Sequence, residues 1–230
     1  MNVKKAAMCL AGLIMASVAW PGVVVLEETN SISEGNFSSG SIGGSPPKPW
    51  LCSKTTEKVR AVVETPAGRP EAERWVRLMD DSDKENANIR QSFAVEVRNG
   101  HFQARLISNK AGGRLFFNLG SGTASKPEER AMQLSIDSDG SLVARGAQKP
   151  KTSLRIKVGE VYLVRCDFEL VKDGKALRIV AELVEETSQR RSRVETEADT
   201  PMAITAVRVT STGPDTGADY FVTDLSLVGR

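Results

Sequence analysis

His101, Gln103 and Arg105 are the side chains best typed and spaced for chemistry. They alternate with Phe102, Ala104 and Leu106, so a strand through them turns three polar groups to one open face and three apolar ones to a core. On such a face an arginine and an amide could neutralise a substrate carboxylate while the imidazole moves a proton. His101 is the only histidine, and the only tyrosines are Tyr162 and Tyr220; Tyr162 shares the inward parity of Val164, Cys166 and Phe168. The trio therefore reads first as the wet face of a strand, with His101 kept as the one catalytic candidate.

Other chemistries are poorly supplied. A single histidine gives little basis for a Ser-His-Asp triad, or for a metal site shared with the cysteines. No Gly-rich phosphate loop follows a strand and opens a helix. The turn Asp80-Asp81-Ser82-Asp83 gathers carboxylates that a cation would reconcile. It departs from an EF-hand loop at Asn86, where Gly is needed, and at Ser92, where the terminal Glu belongs, so a solvated loop is expected. The basic run Gln189 to Arg193 could meet an acidic glycan or membrane surface. Glu185, Glu186, Glu195 and Glu197 surround it and cancel much of its field at physiological salt, so it too reads as a solvated loop between strands.

Sugar binding needs exposed rings flanked by polar groups. Phe116 with Arg114 and Asn118, together with Gln103, Arg105, Arg165, Asp167 and Arg178, are the candidates on open strand faces. Aromatic residues make up only 5% of the chain, so any stacking platform is small. Phe116-Phe117 also fits a strand buried on both faces.

The element best placed to carry such a face is the stretch 161–184, VYLVRCDFELVKDGKALRIVAELV. Asp173-Gly174 is a two-residue hairpin turn of the kind that needs φ > 0 at both positions. Folded there, Leu170 falls opposite Leu177, Phe168 opposite Ile179, Cys166 opposite Ala181 and Val164 opposite Leu183. On the other face Glu169 meets Arg178, Arg165 meets Glu182 and Asp167 meets Val180. Turn, period and charge agree on one register. Further strands with period-two alternation are read at 58–64, 75–79, 92–98, 102–108, 114–119, 132–137, 142–145, 154–158, 203–210 and 220–228, separated by Gly, Pro, Asn and Asp. Only Ser125 to Arg130, with Pro127, suggests a helical turn. So many strands without a repeat imply two stacked antiparallel sheets.

The N-terminus places this sandwich in a compartment. Lys4-Lys5, an apolar run and the small residues Ser17 and Ala19 make residues 1–19 a secretory signal peptide cleaved after Ala19; the alternative is an uncleaved anchor over Ala6 to Leu26. Against 29 Asp and Glu stand 31 Lys and Arg, and cleavage removes Lys4 and Lys5. The neutral balance argues against a nucleic-acid partner. Cys52 and Cys166 remain, either as a disulfide in an oxidising compartment or as a loop thiol and a core thiol. Residues 29–56, rich in Ser, Gly and Pro, read as a surface segment pinned by Phe37 and Trp50.

The order of these features, NFSSGSIGGSPPKPW (36–50), WVRLMDDSD (75–83), amphipathic strands and a terminal YFVTDLSLVG (220–229), resembles secreted bacterial domains of the concanavalin A-like, laminin G-like jelly-roll superfamily. There a first strand leads into a Phe-Glu-x-Gly-like segment and a Gly/Pro-rich stretch, and the last strand returns beside the first. This chain departs at Ser38, where an acidic residue is common, and at Pro49, where Gly precedes the Trp. The resemblance implies a structural calcium near the first and last strands, for which Glu27, Glu28 and Asp224 are the candidates. Lyases of this superfamily use His, Gln, Arg and Tyr on the concave sheet, but no QIH- or YFKAG-like block occurs here. Laminarinase-type enzymes carry Glu-x-Asp-x-x-Glu, and the nearest match, Glu197 to Met202, has Met202 in place of the second Glu.

The expectation is an all-β, two-sheet antiparallel jelly-roll sandwich over residues 20–230, monomeric and free of membrane spans once the signal is removed. It is secreted, periplasmic or on the cell surface, and binds a polysaccharide or cell-envelope component through its concave sheet without catalysis. No cofactor is expected beyond the calcium. A polysaccharide lyase or glycoside hydrolase, and a purely structural or adhesive envelope protein, are the alternatives.

Overall fold

The computed structural model describes residues 29–199, 202–213 and 217–230. The signal segment lies outside them. The strands are β1 (Thr29–Asn30), β2 (Leu51–Cys52), β3 (Val59–Glu64), β4 (Trp75–Asp80), β5 (Asn88–Val97), β6 (Gly100–Ser108), β7 (Arg114–Gly120), β8 (Arg130–Ile136), β9 (Ser141–Arg145), β10 (Lys151–Arg155), β11 (Val161–Val171), β12 (Ala176–Glu185), β13 (Arg191–Ala198), β14 (Ile204–Thr212) and β15 (Ala218–Gly229). They form an eight-stranded sheet, β13-β12-β11-β6-β15-β4-β3 with β1 beside β15, and a seven-stranded sheet, β10-β9-β8-β7-β14-β5-β2. Neighbouring strands pair antiparallel throughout. The last strand does return beside the first described one, Asn30 facing Val228.

The β11–β12 hairpin has the register that its sequence predicts, from Val164↔Leu183 through Cys166↔Ala181 and Phe168↔Ile179 to Glu169↔Arg178 and Leu170↔Leu177. Asp173 and Gly174 have φ of 55° and 80°, and the Lys175 N–H closes the turn on the Lys172 carbonyl at 3.2 Å. Lys172 is also left-handed, φ 54°, which the sequence does not announce.

Two corrections concern strands. The basic run is loop only in part: Gln189 and Arg190 lie in the connection, but Arg191 opens β13, which pairs along β12. Val194, Thr196 and Ala198 face the core while Arg193, Glu195 and Glu197 face out, so an ordinary alternation lies under the charges. The strand read at 154–158 runs instead over Lys151–Arg155, turning Thr152 inward. The turn near Pro127 is a single 3-10 turn, Pro127–Glu129.

The core lies between the sheets. Phe102 from one meets Phe117 from the other, centroids 5.6 Å apart and planes tilted by 56°. The 29–56 segment is pinned as expected: buried Phe37 and Trp50 pack at 5.6 Å, and the Trp50 indole donates to the Ser33 carbonyl at 3.1 Å. A second, smaller cluster of Trp75, Ile107, Val161 and Phe221 sits on the outer side of the eight-stranded sheet. Charged side chains roof it, Arg105 over Trp75 and Arg77 over Phe221.

Candidate functional site

The residues singled out for function divide between two opposite faces. His101, Gln103, Arg105, Arg165, Asp167 and Arg178 share the outer face of the eight-stranded sheet, with Gln103 opposite Arg165 and His101 opposite Asp167. They do not converge on one groove. Gln103, Arg105, Arg165 and Asp224 line one depression, and Asp167 and Arg178 line another.

The arginines with the closest contacts there are committed to carboxylates. Arg105 donates Nε and Nη2 to the two oxygens of Glu186 at 2.6 and 2.9 Å, and Nη1 to Asp224 at 3.1 Å. These bonds, Glu186's above all, hold its guanidinium proton more tightly than usual. Arg178 bridges Glu195 at 2.7 Å and Glu169 at 2.9 Å. Arg165 and Asp167 stay exposed. The His101 Nδ1 lies 3.4 Å from an Arg230 guanidinium nitrogen, and both tyrosines are buried. The imidazole thus has a cation beside it and no phenol on its face, which is poor company for a proton-transfer base.

Glu27 and Glu28 lie outside the described residues. Asp224, left-handed at φ 48°, spends its carboxylate on Arg105. No group of three or more His, Cys, Asp or Glu that could hold a metal occurs among the described residues. In the acidic turn, Asp80 is buried and accepts from the Ser82 N–H at 2.9 Å, while Asp81 pairs with Lys110 at 3.3 Å. Burial first, then Asp81 and Glu85, pushes the Asp80 carboxyl above its usual range. Cys52, on β2, and Cys166, on β11, are free thiols on different sheets. Burial of Cys166 raises its thiol well above normal, so it behaves as a core residue.

Phe116 and Asn118 lie on the other side of the molecule, on the outer face of the seven-stranded sheet. They line a cleft of ≈ 230 Å³ with Ser125, Arg130, Gln133 and Arg208. Asn118 stands opposite Gln133 on β8 and opposite Arg208 on β14. The Gln133 amide donates to Asn118 Oδ1, and Asn118, expected on an open face, is itself buried at 4% exposure. Arg145 sits over the Phe116 ring, 5.5 Å from its centroid, so the ring expected to receive a sugar already carries a cation on one side.

Around this cleft the balance of charge is one-sided. Arg90 and Arg208 are directly opposed across β5 and β14. Among the described residues Arg208 makes one side-chain bond, Nε to Thr210 Oγ1 at 3.2 Å, and Arg130 donates to the Ser125 carbonyl. Burial first, then Arg145, lowers the proton affinity of Arg130; burial, then Arg90 and Arg130, does the same for Arg208. Glu129 is close by but occupied. It accepts from the Thr123 hydroxyl at 2.8 Å and the Ser125 N–H at 3.1 Å, which bring its carboxyl down from 4.5 to about 2. Its bonds shape the rim that Ser125 contributes.

Sequence reading found Phe116, Asn118 and Arg114 but missed Arg90, Arg130, Gln133 and Arg208. The available signal was parity, since Arg208 is outward between the buried Val207 and Val209.

The fold can now be placed among known ones. The structure is similar to a sialidase (TM-score 0.57, 12% identity, 79% of this chain), although this chain spans only 17% of that one. It is also similar to lectin UEA-II (0.52, 10%, 89% of this chain and 99% of that one) and to arcelin-5 from Phaseolus vulgaris (0.51, 12%, 89% and 98%). No family model matches the chain, and no curated protein matches it in sequence. Together with the two antiparallel sheets, these likenesses make the chain a concanavalin A-like jelly-roll sandwich.

Proposed function

We propose that this protein is an exported, non-catalytic module that binds a polysaccharide through the outer face of its seven-stranded sheet. The observation that carries this reading is the Asn118–Gln133 amide pair, which lines a cleft with Arg130 and Arg208 and makes no other side-chain hydrogen bond among the described residues. Paired amides of this kind suit the adjacent hydroxyls of a sugar ring, each of which donates and accepts. The fold supports the reading by analogy, since the similar lectin UEA-II is described in complex with galactose. The expected concave-sheet residues Gln103, Arg105, Arg165, Asp167 and Arg178 then belong to the opposite face, where structural ion pairs dominate.

Glycan-array screening of the purified protein tests this, followed by titration of Asn118→Ala and Gln133→Ala variants. Binding to an oligosaccharide that weakens about tenfold or more in both variants supports the reading. No bound oligosaccharide, or binding indifferent to both changes, overturns it. Export is tested by recovering the protein outside the cytoplasm and finding Trp20 at its N-terminus.

A further inference from the structure

The outer face of the seven-stranded sheet collects Arg90 from β5, Arg114 from β7, Arg130 from β8, Arg145 from β9 and Arg208 from β14. Sheet order makes all five of those strands consecutive, β9-β8-β7-β14-β5. Among the described residues, Arg90, Arg114, Arg130 and Arg208 form no ion pair, and only Arg145 does, with Asp137 at 3.6 Å. The Nε groups of Arg130 and Arg145 are buried without a hydrogen-bond partner. The eight-stranded sheet differs in kind: Arg77, Arg105 and Arg178 each engage two carboxylates.

A chain with nearly equal numbers of basic and acidic residues has thus gathered cations on one face, where the nearby Glu129 is held by Thr123 and Ser125 and, of these arginines, Asp137 reaches only Arg145. Like charges directly opposed across a ladder are destabilising, as are buried donors without acceptors. Both costs are recovered when an anion with several acceptor oxygens sits among the guanidinium groups.

We infer that the cleft takes an acidic sugar, whose carboxylate or sulfate group is held by Arg130 and Arg208 with Arg90 beside them, while Asn118 and Gln133 meet the ring hydroxyls. This rests on the polysaccharide-binding reading and names its ligand class. A single-stranded nucleic acid fits less well, because it needs a series of free aromatic platforms. The cleft offers Phe116 alone, with Arg145 already over it.

Calorimetric titration of the intact protein with an oligouronate, a sulfated oligogalactan, a neutral oligoglucan of equal length and a single-stranded oligonucleotide tests the inference. Tighter binding of one acidic oligosaccharide than of the neutral one, weakening with added salt, is expected. In Arg208→Gln the acidic ligand should lose about tenfold or more in affinity and any neutral ligand little. The two acidic arms tell carboxylate from sulfate recognition. Equal binding of neutral and acidic sugars, or an acidic affinity untouched in Arg208→Gln and Arg130→Gln, sinks the acidic assignment but leaves polysaccharide binding standing. Binding of no sugar removes both, and binding of the oligonucleotide as tight as the best sugar overturns the ligand class. Circular dichroism of the variants shows that lost affinity is not lost folding.

Discussion

Arg90 and Arg208 face each other directly across the β5–β14 ladder, on the same outer face. Cross-strand pairs of like charge cost up to about 1 kcal/mol, so this pair holds the sheet together less well than a neutral one. Arg90→Gln is expected to raise the melting temperature by up to about 4 °C, since each kcal/mol moves a domain of this size by about 2–4 °C. The rise should shrink in high salt, which already screens the repulsion. Differential scanning calorimetry at low and high salt measures both, and a lower melting temperature in low salt would contradict the repulsion.

Arg105 is the opposite case. It joins Glu186 and Asp224 above Trp75, so Arg105→Met removes three charged hydrogen bonds and sets two carboxylates adrift. A loss of about 1–3 kcal/mol is expected, seen as a lower urea midpoint, with the affinity for any oligosaccharide bound on the other sheet unchanged. Loss of binding at full stability would move the site to this face.

Glu129 links stability to pH. Its carboxyl is lowered from 4.5 to about 2 by the Thr123 hydroxyl and the Ser125 N–H, so the folded protein holds its charged form. That contribution is present above about 4.5 and is lost as pH falls through about 2, because the unfolded chain takes up its proton first. Glu129→Gln should flatten the acid side of the stability profile between these values while leaving the slope above pH 6 as it was. Chemical denaturation across pH 2–7 checks this, and an unchanged acid limb would count against it.

How far the sequence foretold all this depends on distance along the chain. The β11–β12 hairpin was readable because turn, alternation and cross-strand charge sit within one short stretch and agree. β13 was hidden because Arg191 and Arg193 drew attention from the inward Val194, Thr196 and Ala198. The arginine face was illegible for a different reason. Arg90, Arg130 and Arg208 meet only because β14 inserts between β5 and β7, a placement that no local pattern dictates. Parity put Phe116 and Asn118 on one side of their strand, and both line the same cleft. The sequence could not say that they lie on the opposite face from Gln103 and Arg105, since parity gives a side of a strand and not a side of the molecule.

The hairpin also bears on the order in which the chain assembles. Its pairing runs unbroken from Val171↔Ala176 out to Tyr162↔Glu185, closing outward from a tight turn, so each step costs little loop entropy. The strand beside it, β6, must arrive from much further off in the chain, and β15 after it. Local ladders of this kind form early, which makes β11–β12 the template on which β6 and β13 add. Ile179→Val should then slow folding with a φ-value above about 0.5, and Val207→Ala, in the distant β14, should chiefly speed unfolding. In that order of events the Glu169–Arg178 pair acts before there is a core to stabilise, as a guide to the moving chain.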